Sequence, residues 1–557
     1  MTSNETTQTS VEHHRSRALA ELGSPFDVIV VGGGCNGAGS AWDAASRGLR
    51  VLLVEKEDFG WGTSAWNSRL IHGGLKYLEK YDVKLVRESL REREWLLRAA
   101  PHLVKPLRFV LPFYARNAHH RFALRAGMLA YDALSFDKSV PMHRVFSPDE
   151  TAELIPGIDR NGLQGSAAYY DGQIEYAERL SVEVALAARE AGAVVLNHAR
   201  VDRLVTEGDR VVGVEITDLV SGGTHRASAA VTVNAAGPWL DEVLGRLDGR
   251  SVPRMTGGTK GTHLVVDPFP GAPRDAMYYE AVTDARPLLV IPWLGRYLLG
   301  STDERFEGDL DTVSTDDDEI AYVLRETNKI FPDADLGPEH LLWSYEGVRP
   351  LPFSSGGPTS DISRRHDVRD HAPQIEGLLS VVGGKLTTFR QLGEDVTNAV
   401  VRKLGTRRRP GVTRRLQFPG ARAADFGRFA DAFRAGCGLP APVADRLLRI
   451  YGTRAAGVAA IAAAEPTLAE VIDEQTSAVG AEVVFAVREE MAATLADVVA
   501  RRSMLGLSPD LGTGALDAVG RIAEKYAGWS AERVGDDRAA YERYITRFRP
   551  RSVPTGA

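Results

Sequence analysis

Cysteine is almost missing from this chain: Cys35 and Cys437 are the only two among 557 residues. That excludes a disulfide framework and a cysteine-based zinc cluster, and it fits a reducing interior. Long apolar runs are missing too. No stretch approaches the roughly 18 consecutive apolar residues that read as a membrane-spanning helix, which leaves attachment to a membrane surface open. Positive charge is not in excess. The formal net charge is −7, against the basic balance that bulk nucleic-acid binding shows. The opening "MTSNETTQTSVEHHRSRALAELGSP" lacks a signal-type apolar core and reads as a polar, mobile tail to about Ser24. Internal repeats and long low-complexity tracts are absent as well.

What is present is glycine, 55 residues of it, concentrated with strand signals between about 25 and 395 in the manner of an α/β fold. Gly405, Pro410 and Gly411 then break "RKLGTRRRPGVTRR" into a basic linker, 401–419. Beyond it apolar residues recur at helical spacing, as in "PVADRLLRIYG", which predicts an all-helical C-terminal domain over 420–548.

The most specific local signal is "FDVIVVGGGCNGAGSAWDAASRGLRVLLVEK". A buried-type strand leads into Gly32, Gly34 and Gly37 at G-x-G-x-x-G spacing, an alanine-rich helix follows, and a second strand ends at Glu55. Gly32 permits the tight turn, Gly34 lets a pyrophosphate approach the backbone, and Gly37 lets helix and strand pack closely. The helix start offers free N–H groups to phosphates. Glu55 suits a ribose diol and, standing where an arginine would serve a 2′-phosphate, disfavours NADP.

Two further strand–glycine–helix turns occur far downstream, in "SAAVTVNAAGPWLDEVLG" and "GLLSVVGGKLTTFRQLGEDV". An NAD site closes within one contiguous unit, so these returns favour FAD. They resemble the glutathione-reductase-type flavoproteins in their amino-acid-oxidase-like branch. That resemblance implies a Rossmann-like FAD domain (about 25–105, 165–245 and 340–400) with an interleaved antiparallel-sheet substrate domain (about 106–164 and 246–339). It also implies that "GTSAWNSRLIHGGLKYLE" crosses the flavin ring, with Gly73 and Gly74 letting backbone pass close to a flat surface.

The set "GGGCNGAG", "TSAWNSRLIHGGLKYLE", "VNAAGPW", "KGTHLVV", "GVRPL", "ISRRH" and "GGKLTTFR" is similar, in order, to FAD-dependent glycerol-3-phosphate dehydrogenase of the quinone-linked respiratory type. Two positions depart from the family pattern: Lys76 stands where arginine is common, and "ISRRH" replaces "ISRDH". The resemblance implies flavin contacts from Thr63, Ser64, Ser68, Leu70, Gly237, Gly383, Gly384, Lys385, Leu386 and Thr387. It nominates Arg349 and Arg364, with Lys76 and Tyr77, for a substrate phosphate dianion. Arginine's planar fork grips such oxygens bidentately, whereas Lys76 acts as a point charge.

Oxidising a secondary alcohol also needs a base. His263 is favoured because imidazole titrates nearest working pH. His72 is the second candidate, and Lys385 reads as an electrostatic partner of the flavin. The acidic stretch Ser301 to Asp311 lacks cation-loop spacing and reads as a solvated loop, so no metal is expected. The implied partners are glycerol 3-phosphate, a membrane quinone, and the cytoplasmic face of the cell membrane, where the protein lies peripherally. A homodimer is a further implication of the resemblance. Arg402, Lys403, Arg407, Arg408, Arg409, Arg414 and Arg415 suit an anionic leaflet, though a solvated linker explains them equally. Oxygen as the acceptor, or a non-catalytic binding protein on the same fold, are the competing readings.

Overall fold

The computed structural model describes residues 14–78, 81–117, 121–406 and 409–549. Its first layer is a mostly parallel sheet built on Phe26–Val31. That strand pairs in parallel with Val51–Val54 on one side and Thr224–Asn234 on the other. Val194–Leu196 extends the first edge and Leu378–Val382 the second, also in parallel. The near-continuous valine and leucine of these strands follow from burial on both faces. Helix Cys35–Ser46 covers one face, and Phe389–Leu404 lies against it. A glycine contact allows this approach: a Cβ on Gly393 would sit 2.5 Å from the Gly39 carbonyl oxygen.

The second layer is a ten-stranded sheet, antiparallel except where Ala276–Glu280 runs parallel to Val104–Tyr114. It takes in more chain than the interleaving expected from sequence. Leu163–Ile174 pairs along Val104–Tyr114, and Leu341–Pro352 pairs along Thr256–Val266. Both strands therefore belong to the substrate-side sheet, although positions 165 and 340 were expected to open nucleotide-domain segments. Alternating burial alone does not say which of two sheets a strand joins.

The tail also differs from expectation. Residues 14–20 are helical, and Arg15 donates to the backbone carbonyls of Asn197 (3.0 Å) and His198 (3.1 Å) while pairing with the Asp218 carboxylate. The C-terminal region is helical apart from a small hairpin, Val471–Asp473 with Ala478–Val479. Its most apolar stretch, Ala441–Ala464, reaches a mean hydropathy of 1.2 and passes a length-and-composition test for a membrane span. It is instead two helices, Ala441–Tyr451 and Ala455–Ala464, broken at Gly452 (φ 58°), and its inner side is core.

Buried ion pairs fasten this domain to the nucleotide layer. Asp58, three residues past Glu55, accepts from Arg501 (2.8 Å) and pairs with Arg502. Glu490 accepts from Arg179 at 2.6 Å, and His198 Nε2 meets Asp497 at 2.8 Å. Removing one partner of such a pair leaves an uncompensated buried charge, a loss of about 3–5 kcal/mol. The acid-bearing end of the second strand is braced from behind by these contacts.

Candidate active site

Two clefts meet at the sheet ends. The first is lined by Gly32, Gly34, Glu55, Thr63, Ser64, Gly237 and their neighbours. The second is open to solvent and is lined by Ser68, Leu70, His72, Tyr77, Arg349, Arg364 and Thr387 among others. Thr63, Pro350, Gly384, Lys385 and Leu386 face both. A long ligand in the first cleft therefore presents its far end to the second.

The glycine cradle fits a dinucleotide. Gly32 has φ +111°, and a Cβ there would meet the Ala235 carbonyl oxygen at 2.6 Å. At Gly37 it would lie 1.9 Å from the Gly32 oxygen, which is the close helix–strand packing anticipated from the spacing. Gly34, at an ordinary φ of −68°, caps helix Cys35–Ser46 and leaves the phosphate approach free of side-chain bulk. Glu55 accepts from the backbone N–H of Gly33 (2.5 Å) and Glu57 (2.9 Å), so its carboxylate is fixed at the cleft wall. Ser64 Oγ accepts from Cys35 N–H at 3.0 Å, and Thr63 donates to the Val348 carbonyl. Gly237, Gly383 and Gly384 all take positive φ (59°, 76° and 108°), as turns into the later helices require.

The segment from Asn67 to Leu78 becomes intelligible here. Leu70–Ile71 adds a short strand beside Gly172–Gln173. Buried Arg69 is held in a fork by Glu178 at 2.8 and 2.9 Å. Gly73 donates to Asp171 at 3.1 Å, and a Cβ on it would lie 2.2 Å from the Tyr131 hydroxyl. Gly74 has φ +78°, with the Lys385 Nζ 3.3 Å from where its Cβ would be. The glycine pair is thus a requirement of close packing. Lys76 lies in the turn Leu75–Leu78, but its side chain falls outside the described part of the structure.

The two nominated arginines stand together in the second cleft. Arg349 donates from Nη1 to Asp303 (3.0 Å) and from Nη2 to Ser301 Oγ (2.9 Å) and the Thr302 carbonyl (3.3 Å). Arg364 Nη2 donates to the other Asp303 oxygen at 3.3 Å. The stretch from Ser301 to Asp311 is therefore more than a solvated loop. Its first residues enter the cleft, and Asp303 is a site residue that sequence reasoning missed. Burial works against its charge, yet Arg349 and Arg364 together hold its carboxyl below the usual range.

The histidines do not behave as expected. His263 is 2% exposed, absent from the cleft lining, and stacked on Tyr345 with ring centroids 4.9 Å apart. Its Nε2 is 2.8 Å from Ser68 Oγ, so it reaches the cleft only through that serine. Burial, then the charges of Arg349 and Arg69, push its pKa down to about 3. His72 does face the cleft, but burial and Lys385 push it to about 3 as well. Neither imidazole titrates near neutrality, which removes the reason for favouring His263 as the base. Lys385 does. Burial lowers it from 10.5 to about 7, against the opposing pull of Glu88 and Asp171. Its Nζ donates to Ser89 Oγ at 3.2 Å and sits 4.0 Å above the Tyr77 ring centroid.

This chain is similar to known proteins over most of its length. A family model described as FAD dependent oxidoreductase matches residues 27–388, and one described as the C-terminal domain of alpha-glycerophosphate oxidase matches 411–534. The glycerol-3-phosphate dehydrogenase of Synechocystis sp. is 43% identical over 531 residues, covering 93% of this chain and 96% of that protein. Glycerol-3-phosphate dehydrogenase 2 of Mycobacterium tuberculosis is 36% identical over 538 residues, covering 95% and 89%. The solved glycerol-3-phosphate dehydrogenase of Bacillus halodurans, complexed with FAD, superposes with a TM-score of 0.80 at 27% identity, over 97% of this chain and 98% of that one.

Proposed function

This chain belongs to the FAD-dependent glycerol-3-phosphate dehydrogenase family, and we propose that it oxidises sn-glycerol 3-phosphate to dihydroxyacetone phosphate in the second cleft and passes the electrons to a membrane quinone. The observation that carries this reading is the arginine pair, Arg349 and Arg364, facing a cleft that shares part of its wall with the dinucleotide cradle.

FAD, when bound, supplies the acceptor for the hydride that leaves C2 of the alcohol. Gly32, Gly34 and the start of helix Cys35–Ser46 would hold its pyrophosphate, and Glu55 its ribose. The protein's own part in the chemistry is binding and proton handling. Arg349 and Arg364 fix the phosphate dianion, so the alcohol carbon is oriented from its charged end. Lys385 as the neutral amine takes the hydroxyl proton, its pKa of about 7 lying near the optimum for a base at neutral pH. Neutral His263 orients Ser68 at the cleft wall.

Two features support an apolar acceptor delivered from a membrane. The sheet wall of the second cleft carries Phe109, Leu111 and Phe113 from one strand beside Tyr169, Tyr278 and Leu289 from other strands of the same sheet. Outside it, the most exposed large apolar side chains are Tyr81 (89%), Phe136 (77%), Met142 (66%) and Leu129 (60%). Leu129 lies on helix Arg121–Leu134, Phe136 and Met142 follow that helix, and Tyr81 precedes helix Val83–Ala99, from which the Arg87 guanidinium lies over the Phe136 ring. A surface of this composition suits the lipid interface. The basic linker contributes less. Lys403 pairs with Asp370 (2.6 Å), Arg409 donates to the Arg47 carbonyl (3.1 Å), and Arg407 and Arg408 lie outside the described residues.

The acceptor is tested by aerobic turnover with a short-chain quinone present. The expected result is quinol formed in step with substrate oxidised and only a minor yield of peroxide. Peroxide matching substrate oxidised, with the quinone untouched, would make oxygen the acceptor.

A further inference from the structure

The arginine pair does not hold its own geometry. Two guanidiniums side by side repel: besides desolvation, the charge of Arg364 disfavours the charged form of half-buried Arg349. Asp303 is what brings them together: one carboxylate oxygen takes Arg349 and the other takes Arg364. Thr359 donates to the second oxygen at 3.1 Å and helps aim it. On the far side, the Arg349 guanidinium lies against backbone, since a Cβ on Gly261 would sit 2.2 Å from its Nη2. With Ser301 and Thr302 also accepting from Nη2, Arg349 is clamped in one orientation before any phosphate arrives.

We propose that Asp303 is the positioning residue of the phosphate site: by bridging Arg349 and Arg364 it presets their spacing, so that an incoming dianion meets an assembled fork. This rests on reading the second cleft as a phosphate-binding site. The bridging carboxylate also lowers the local positive charge, which by itself weakens anion binding. The two effects of Asp303 have opposite signs, so its removal decides between them. If pre-ordering dominates, losing the carboxylate weakens phosphate binding, because each arginine must then be ordered by the ligand.

The test uses Asp303→Asn in the FAD-loaded protein, with two readouts. In steady-state dye reduction, KM for glycerol 3-phosphate should rise about tenfold while kcat changes less than about threefold. In calorimetric titration with inorganic phosphate, the dissociation constant should rise by a similar factor. Flavin content and melting temperature monitor folding. A residue that merely supports the fold would act independently of the arginines. Asp303→Asn should therefore have little further effect in an Arg349→Ala background, where there is no fork left to preset. Unchanged or tighter phosphate binding in Asp303→Asn overturns the proposal, as does an effect that simply adds to that of Arg349→Ala. The phosphate titration needs no turnover, so it judges Asp303 even if glycerol 3-phosphate proves not to be the substrate. Failure of wild-type turnover alone would count against the substrate reading.

Discussion

Replacing Lys385 with methionine is expected to lower kcat by roughly 10²–10⁴-fold, the range that loss of a positioned base produces, with FAD still bound. The side chain lies at the wall shared by both clefts. Methionine matches its length and apolar stem, so the substitution removes the amine and little else. The pH dependence gives an independent signature. A base must be unprotonated, and the Lys385 amine is pushed down to about 7. In the native protein kcat/KM should therefore rise with pH and level off above about 7. Bound phosphate stabilises the ammonium form, so the corresponding limb of kcat should lie at higher pH. The kcat limb should vanish in Lys385→Met, whereas kcat/KM keeps the ionisation of the free substrate's phosphate at about 6. If His263 were the base, its pKa of about 3 would leave the kcat profile flat across the neutral range. A flat native profile with a small loss in Lys385→Met would return the role to an imidazole.

The second large effect concerns Arg349. Arg349→Ala should reduce kcat/KM by roughly 10²–10³-fold, since truncating a hydrogen-bonded charge that the bound phosphate covers costs about 2–5 kcal/mol or more of binding. The loss should fall mainly on KM, with inorganic phosphate losing its ability to inhibit in parallel. Arg349→Lys should recover little, because an ammonium is a point charge without the planar fork that grips carboxylate and phosphate oxygens in pairs. Unchanged kinetics in Arg349→Ala would remove this residue from the site.

The nucleotide half was legible in the sequence because its requirements are local. Gly32, Gly34, Gly37 and Glu55 sit within one strand–helix–strand unit, and each answers a steric or hydrogen-bonding need that neighbouring residues already define. The pairing of Arg349 with Arg364 was reachable through family resemblance. Asp303 was not. It stands 46 residues from one arginine and 61 from the other, in an acidic stretch whose composition suggests solvent. The histidines misled for a related reason. An imidazole's ordinary pKa says nothing about burial, and His263 is enclosed by strands that pair only in the folded sheet. Lys385 shows the converse: at the start of a helical turn it suggests a plain cation, and only its enclosure by Tyr77, Ser89 and the cleft wall brings it toward neutrality.

Anaerobic mixing of the FAD-loaded protein with glycerol 3-phosphate, lactate or an amino acid, followed at the flavin absorption band, bears most directly on the central claim. Glycerol 3-phosphate should bleach the band rapidly and completely, while lactate and amino acids at the same concentration leave it unchanged. Equal or faster bleaching by a carboxylate substrate, or none by glycerol 3-phosphate, would contradict a cleft built for a phosphorylated alcohol.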